Sequence, residues 1–342
     1  TGCRSGRHVP SVPLGSVTAM ESHENTPPSP VTRLHARTPD DIAAFVPLAL
    51  GFVPERSVVV ISVGSPGGMS ARVDLPHDPD DVDDVVEALL RPARRNGVRD
   101  VVVVIYDDDT TVADEAAWAL HEELTAAGIS VREVLRVHDD HWYAVLPGAP
   151  LAAYRGVRFA RGEHPFTAQG VFDGRVTHAS REALRATLAP DDGAIRATET
   201  VLAEASALPA GALAGLVRRP VGSGTTFSID ELAAVALTLP SGARRDEAGV
   251  WLARADARRA VDLWSDAVRR LPGAHVAGPA AVLAFAAWLL GDGALAWCAV
   301  ERCQESEPGY SLAGLVSQAL AAAVHPSTWQ PIPPEDLPLF AG

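Results

Sequence analysis

The spacing of apolar and polar positions changes along the chain and predicts two kinds of structure. Near-continuous apolar runs from Ser57 to Val63 and from Val101 to Tyr106 are typical of strands buried on both faces. The segment from Asp78 to Arg95 is amphipathic with a helical period and opens with acids, which predicts a helix. Residues 147–163 show no period and are expected to be irregular. Further strands are predicted at 69–75, 129–137 and 141–146, and further helices at 38–50 and 112–127.

Strands that alternate with helices favour a sheet covered by helices, whereas the later part of the chain has an almost wholly helical pattern. We therefore predict an α/β domain, an open sheet with flanking helices, over residues 34–190. An all-α, repeat-like domain should follow over 191–326. Residues 1–33 are rich in Ser, Pro, Thr and Gly and are expected to be a disordered tail, and residues 327–342 a Pro-rich tail.

One register occurs twice near the C-terminus, in residues 255–272 and 291–308. When the closing prolines are aligned, 36 positions apart, Ala260 falls on Ala296 and Asp256 falls on Asp292. Small residues at fixed helical positions with a period in the mid-thirties indicate a repeated helix hairpin. Both alanines should therefore be buried where two helices cross closely.

Composition excludes several classes of function. The net charge of −14 argues against a nucleic-acid partner and against adsorption to an anionic membrane surface. The sequence contains no lysine, so a Walker lysine, a Schiff-base lysine and a pyridoxal-phosphate anchor are excluded. No apolar run is long enough to span a bilayer, and three cysteines without a Cys-x-x-Cys pair favour a reducing cytoplasm. The first methionine is Met20, and we expect either that translation starts there or that the chain is a fragment.

The acids Asp107, Asp108 and Asp109 directly follow a predicted buried strand. Ligands of open α/β sheets bind beyond the carboxyl ends of strands, so Asp107 and Asp108 are candidate ligands of Mg²⁺ or Mn²⁺. The alternative is a solvated acidic turn that favours the N-terminus of the next helix. Arg181 is a candidate for binding a carboxylate or phosphate, with the alternative that it pairs with Glu182 or Asp173.

Other candidate motifs are weaker. The segment from His138 to His141 contains metal-capable side chains but no third zinc ligand at a convincing spacing, which favours a polar hairpin turn. The glycines from Gly64 to Gly68 precede a strand rather than a helix and indicate a hairpin rather than a phosphate site. No Gly-x-Ser-x-Gly motif is present. No catalytic residue can therefore be named, and no cofactor is expected.

Four segments resemble an actinobacterial family known as domain of unknown function 4192. They read LALGFVPERSVVVISV, SARVDLP, HPFTAQGVFDGRVTHASREALRATLAP and AAVLAFAAWLLGDGALAWCAVERCQESEPGYSLAGLVSQAL. The resemblance covers most of residues 34–330 and implies no catalytic residues. Many members share a Cys-Cys-Pro segment after the Trp-bearing strand, where this chain reads HWYAVLPGAPLAAYRG.

The C-terminal register also resembles a tetratricopeptide hairpin. Leu283 and Ala284 match its first helix, Gly291 its turn, Ala296 its second helix and Pro308 its close. The resemblance implies a surface that binds a protein partner.

Three hypotheses follow for the function. The first is a non-enzymatic cytoplasmic module that binds a ligand through its α/β domain or a protein through its helical repeats. The second is a metal-assisted hydrolase that uses Asp107 and Asp108 at the end of the third strand. The third is a structural scaffold protein.

Overall fold

The computed structural model describes residues 34–64, 68–240 and 242–332. The predicted tail over 1–33, the middle of the predicted turn between Gly64 and Gly68, and the last ten residues of the predicted Pro-rich tail lie outside these ranges. The described residues form two compact units. The first contains residues up to 49 together with 55–175, and the second contains 50–54 together with 176 onward.

The first unit is built on a six-stranded mixed sheet, which agrees with the predicted α/β class. Its order is β2-β1-β3-β4-β5-β6, in which β3 and β4 are parallel and all other neighbours are antiparallel. β1 is fully buried, and so is β3 after its first residue, as their apolar runs predict. The strands are β1 (Ser57–Ser62), β2 (Ser70–Asp74), β3 (Asp100–Tyr106), β4 (Ser130–His138), β5 (His141–Ala144) and β6 (Val157–Arg158).

Three helices of this unit lie at the positions that the hydrophobic pattern predicts, near residues 38–50, 78–95 and 112–127. The amphipathic helix in 82–95 follows a short 3-10 turn and buries its valines and leucines. The next helix ends before Gly128, whose φ of 77° is left-handed and therefore suits glycine. The helices are α1 (Pro39–Leu50), α2 (Val82–Arg95), α3 (Thr110–Ala126), α4 (Leu151–Arg155) and α5 (Pro165–Phe172).

The prediction of irregular structure over residues 147–163 is wrong. This segment contains α4 and the two-residue strand β6, in which Arg158 pairs with His141 and Val157 with Trp142. Both elements are too short to produce a hydrophobic period of their own. They form because β5 offers a free edge to which β6 can pair.

The second unit is helix-rich, as predicted. Two of its helices begin at serine N-caps: Ser180 accepts from the Ala183 N–H, and Ser228 forms a reciprocal capping box with Glu231. The helices are α6 (Arg181–Ala186), α7 (Asp192–Leu202), α8 (Ala212–Ser223), α9 (Ile229–Thr238), α10 (Gly242–Gly249), α11 (Ala257–Arg270), α12 (Ala277–Leu290), α13 (Gly293–Ser306) and α14 (Ser311–Ala321).

The centre of the helical unit is α12, which is buried from Ala277 to Leu289. It packs against α11, α13 and α14, and Ala260 and Ala296 of the flanking helices are completely buried, as the shared register predicts. A helix that is apolar all round is typical of the core of a helical bundle. No helix within the described ranges combines the length and the apolar character needed to cross a membrane.

Candidate functional site

The register of the sheet brings several polar side chains to one edge. Ser57 at the start of β1 is paired with Tyr106 at the end of β3, and Tyr106 is also paired with Val137 near the end of β4. His138 at the end of β4 is paired with His141 at the start of β5. The ends of β3 and β4 and the starts of β1 and β5 therefore share one edge, and the residues that follow or precede them meet there.

Asp107, the first residue after β3, is buried at this edge with 4% of its surface exposed. One carboxylate oxygen, Oδ1, accepts a hydrogen bond from the Asp109 N–H at 3.1 Å and lies 3.8 Å from Nη1 of Arg56. The other oxygen, Oδ2, is buried and has no hydrogen-bond partner among the described residues. A buried acceptor without a donor costs roughly 1–3 kcal/mol, so Asp107 is poorly explained by folding stability alone.

Arg56 reaches this carboxylate from the residue before β1. Its backbone has a φ of 38°, a left-handed conformation that is uncommon for a long side chain. Its Nη2 donates to the carbonyl of Pro76 at 3.2 Å, and its own carbonyl accepts from the Leu75 N–H. The side chain is 41% exposed, so Arg56 presents a cation at the boundary between Asp107 and solvent.

A second arginine, Arg136 of β4, supports the backbone of the same segment. Its Nη1 donates to the carbonyl of Asp107 at 3.1 Å, and its guanidinium lies 4.1 Å from the ring centroid of Tyr143. Only 9% of Arg136 is exposed. The hydrogen bond and the cation–π contact hold this cation in place, so it positions Asp107 rather than facing solvent.

Asp108, the second predicted site residue, follows Asp107 directly in the chain and is exposed. The pKa of Asp108 lies below its ordinary value, chiefly because the side chain of Asp107 hydrogen-bonds to it, with backbone N–H groups and the charge of His138 contributing less. Oδ2 of Asp107 remains without a hydrogen-bond partner among the described residues.

This carboxyl pair has no further metal ligand close by. Within residues 34–64, 68–240 and 242–332, no group of three or more His, Cys, Asp or Glu side chains could hold a metal ion. The Asp107 carboxylate instead lies 3.8 Å from Nη1 of Arg56.

The residues from His138 to His141 form the turn that joins β4 to β5. Asp139 has a left-handed φ of 50°, and its carboxylate lies 3.3 Å from Nε2 of His138, both side chains being exposed. This geometry agrees with the polar hairpin turn that the sequence favours.

Arg181 lies in the helical unit, where it pairs with Glu301 of α13. Four residues on, Arg185 pairs with Glu305 in the same way. These ion pairs join α6 to α13 in a repeated i,i+4 pattern. Sequence reasoning expected a neighbouring acid, Glu182 or Asp173, but the structure gives an acid 120 positions away.

Sequence reasoning missed three further residues in the sheet unit, Ser57, Tyr106 and Arg161, which we call the Tyr106 cluster. The hydroxyls of Ser57 and Tyr106 and Nε of Arg161 are buried without a hydrogen-bond partner among the described residues. The signal in the sequence was the polar residue at one end of each apolar run, SVVVIS and VVVVIY. No such signal marked Arg161, because its segment shows no hydrophobic period.

A family model described as "Domain of unknown function (DUF4192)" matches residues 39–327, most of the chain. Neither a curated protein nor a solved structure matches the chain.

Proposed function

We propose that this chain, which belongs to the DUF4192 family, is a binding protein whose sheet unit holds a small polar ligand at the end of β3. The observation that carries the proposal is Oδ2 of Asp107, a buried carboxylate oxygen that lacks a hydrogen-bond donor. A ligand that supplies the donor removes the cost of leaving this oxygen unpaired.

The chemistry of the acceptor defines the ligand. A carboxylate oxygen accepts hydrogen bonds, so the ligand carries a hydroxyl or an ammonium group that donates to Asp107. Arg136 keeps the Asp107 backbone in position, and Arg56 stands at the solvent side of the carboxylate. In the helical unit, burial raises the pKa of Cys298 to about 11 and that of Cys303 to about 12. Neither thiol is therefore a nucleophile at neutral pH.

A thermal-shift screen tests this proposal with three chemical classes: polyols such as inositol and ribose, amines such as ethanolamine, and Mg²⁺ or Mn²⁺. We expect a polyol or an amine to raise the melting temperature of the wild type and not of Asp107→Asn. The matched control is Asp139→Asn, which removes the same charge from an exposed carboxylate at the same edge. A response of equal size in wild type and Asp107→Asn would place the ligand elsewhere and contradict the proposal.

A metal-assisted hydrolase is the second candidate, and the closeness of the Asp107 and Asp108 carboxyls favours it. The two acids would hold Mg²⁺ or Mn²⁺ through hard oxygen ligands, and the ion would activate a water. Calorimetric titration with both ions, beside the Asp107→Ala/Asp108→Ala double variant, separates this candidate from the first. Negligible heats in both proteins would rule out the hydrolase hypothesis and leave the non-enzymatic binding hypothesis.

A protein partner for the helical unit is a further proposal, alongside a scaffold role. We infer that α12 and α13 form a tetratricopeptide-like hairpin, in which Gly291 takes a left-handed φ of 89° and Asp292 caps α13 by accepting from the Leu295 N–H. Leu315 of α14 is a large apolar side chain that is 60% exposed, as a partner surface requires. Crosslinking in cells, compared between wild type and Leu315→Glu, tests this. Crosslinks that are unchanged by the substitution would rule out the α14 surface as the partner-binding site.

We propose a cytoplasmic location, which is supported by the free, buried thiols of Cys298 and Cys303. Fluorescence of a tagged full chain, followed through cell fractionation, tests this location.

A further inference from the structure

The Tyr106 cluster lies on one face of the sheet. Ser57 is the direct partner of Tyr106, Tyr106 is paired with Val137, and Val137 is paired with Trp142, so all four side chains point to the same face. The indole N–H of Trp142 donates to Oδ1 of Asp40 at 2.6 Å. The first turn of α1 therefore covers this face beside the cluster.

The two hydroxyls of the cluster are buried without partners. Ser57 is completely buried and Tyr106 is 5% exposed, and neither hydroxyl has a hydrogen-bond partner among the described residues. Both residues lie at the ends of strands whose central positions are apolar. Each of these two adjacent strands therefore buries an unpaired hydroxyl at the same edge. Each hydroxyl lowers the free energy of unfolding, which an apolar residue at that position would not do.

Arg161 supplies a positive charge to these hydroxyls. It begins a 3-10 turn after β6, and its carbonyl accepts from the Thr167 hydroxyl at 2.7 Å, which fixes the turn to α5. Its charge acts on the phenol of Tyr106, and its Nε is buried without a hydrogen-bond partner. In the part of the chain that the structure describes, Arg161 forms no ion pair.

The neighbouring acids are already engaged. Asp40 accepts from Trp142, and Asp41 lies 3.2 Å from Nε2 of His164, the residue that caps α5. Among the described residues, neither acid of the first turn of α1 forms an ion pair with Arg161.

All three atoms of the cluster can donate a hydrogen bond at neutral pH. Burial raises the pKa of Tyr106, so its phenol stays protonated, and a guanidinium is always charged. Three donors with one positive charge are the recognition chemistry of an oxyanion. A single guanidinium balances one negative charge. The carboxylate of Asp107 at the same sheet edge would repel a second negative charge on the ligand.

We propose that Ser57 Oγ, Tyr106 Oη and Arg161 Nε bind the carboxylate group of a small monoanionic acid. This site uses none of the side-chain atoms of Asp107 and does not depend on the ligand proposed for that residue.

The test uses thermal melts of the full chain in increasing sodium acetate, with sodium chloride replaced so that the ionic strength stays constant. Sodium phosphate is the second arm, because it presents the same oxygens with a greater charge. We expect acetate to raise the melting temperature of the wild type more than that of the site variants. Phosphate should give the smaller difference between them, because its exclusion from protein surfaces stabilises all of these proteins alike.

The variants are Tyr106→Phe and Arg161→Gln, with Arg158→Gln as the matched control, since Arg158 is exposed and lies three residues before Arg161. Tyr106→Phe removes an unpaired buried hydroxyl, so its melting temperature without acetate should equal or exceed that of the wild type. Its affinity for acetate should nevertheless fall about 10- to 100-fold, as expected for one hydrogen bond to a charged group. Ser57→Ala repeats the test if Arg161→Gln fails to fold.

Three results would overturn the proposal. In the first, acetate has no effect beyond that of chloride on the wild type. In the second, the acetate response is unchanged in Tyr106→Phe and Ser57→Ala, which would place the anion elsewhere. In the third, the difference between the wild type and Tyr106→Phe is larger in phosphate than in acetate, which would contradict a monoanionic ligand. An acetate response that persists in Asp107→Asn is expected, so failure at one site is distinguishable from failure at the other.

Discussion

Gly278, in the first turn of α12, is a position where one added methyl group should destabilise the helical core. A Cβ at this position would lie 2.7 Å from Cβ of Leu239 and 3.4 Å from the hydroxyl of Tyr310. Leu239 is completely buried, and its carbonyl accepts a hydrogen bond from Tyr310. Because a Cβ atom moves only with its backbone, Leu239 cannot withdraw by changing its rotamer.

Two opposing contributions set the size of the effect. Replacing a glycine inside a helix by alanine stabilises the helix by roughly 0.5–1 kcal/mol. Overpacking a tight core costs about 1–3 kcal/mol, so Gly278→Ala should lower the free energy of unfolding by up to about 2 kcal/mol. For a unit of this size, each kcal/mol corresponds to about 2–4 °C in melting temperature.

The matched control is Gly314→Ala in α14, where an added Cβ would meet no atom within 4 Å. We expect this variant to melt at a higher temperature than the wild type and Gly278→Ala to melt at a lower one, as measured by circular dichroism at 222 nm. If the two variants shift the melting temperature in the same direction, the close packing of α12 against Leu239 is refuted.

Three further predictions concern the helical unit. Ala296→Leu, like Ala260→Leu, should cost about 1–3 kcal/mol by overpacking a fully buried helix crossing, and a melting temperature equal to that of the wild type would contradict the close contact. Cys298 and Cys303, whose pKa values burial raises to about 11 and 12, should react with a thiol reagent at neutral pH only after denaturant is added; rapid labelling of either native thiol, resolved by mass spectrometry, would contradict this. Burial raises the pKa of Asp292, so the folded state binds a proton more readily than the unfolded state, and the free energy of unfolding should fall as the pH rises through the interval between the two pKa values. Asp292→Asn keeps the capping oxygen and should flatten this dependence in melts at several pH values, whereas identical pH profiles would show that the charge of Asp292 is not the cause.

The parts of the fold that depend on local pattern could be predicted from the sequence. The apolar runs that form β1 and β3 and the capping serines at 180 and 228 act within a few residues, so their effect is readable in the sequence. The mixed pairing of β3 with β1 and β4 was not predictable, because it depends on long-range register. The short strand β6 pairs with β5, and no pattern within its two residues predicts a strand.

The candidate site, too, could be predicted from the sequence only where its signal is local. Asp107 and Asp108 were found because acids after a buried strand are a local signal with a known structural meaning. The burial of Asp107 beside Arg56 depends on which strands are neighbours, and no spacing in the sequence gives that. The same is true of Arg181, whose partner Glu301 is brought close only by the packing of α6 on α13.

The central claim is that Asp107 binds a ligand that donates a hydrogen bond. Its most direct test is calorimetric titration of the wild type, Asp107→Asn and Asp139→Asn with the polyol or amine that stabilises the wild type most. We expect Asp139→Asn to bind as the wild type does. Asp107→Asn should bind about 10- to 100-fold more weakly, because this substitution removes a charged acceptor. Equal dissociation constants for all three proteins would contradict it.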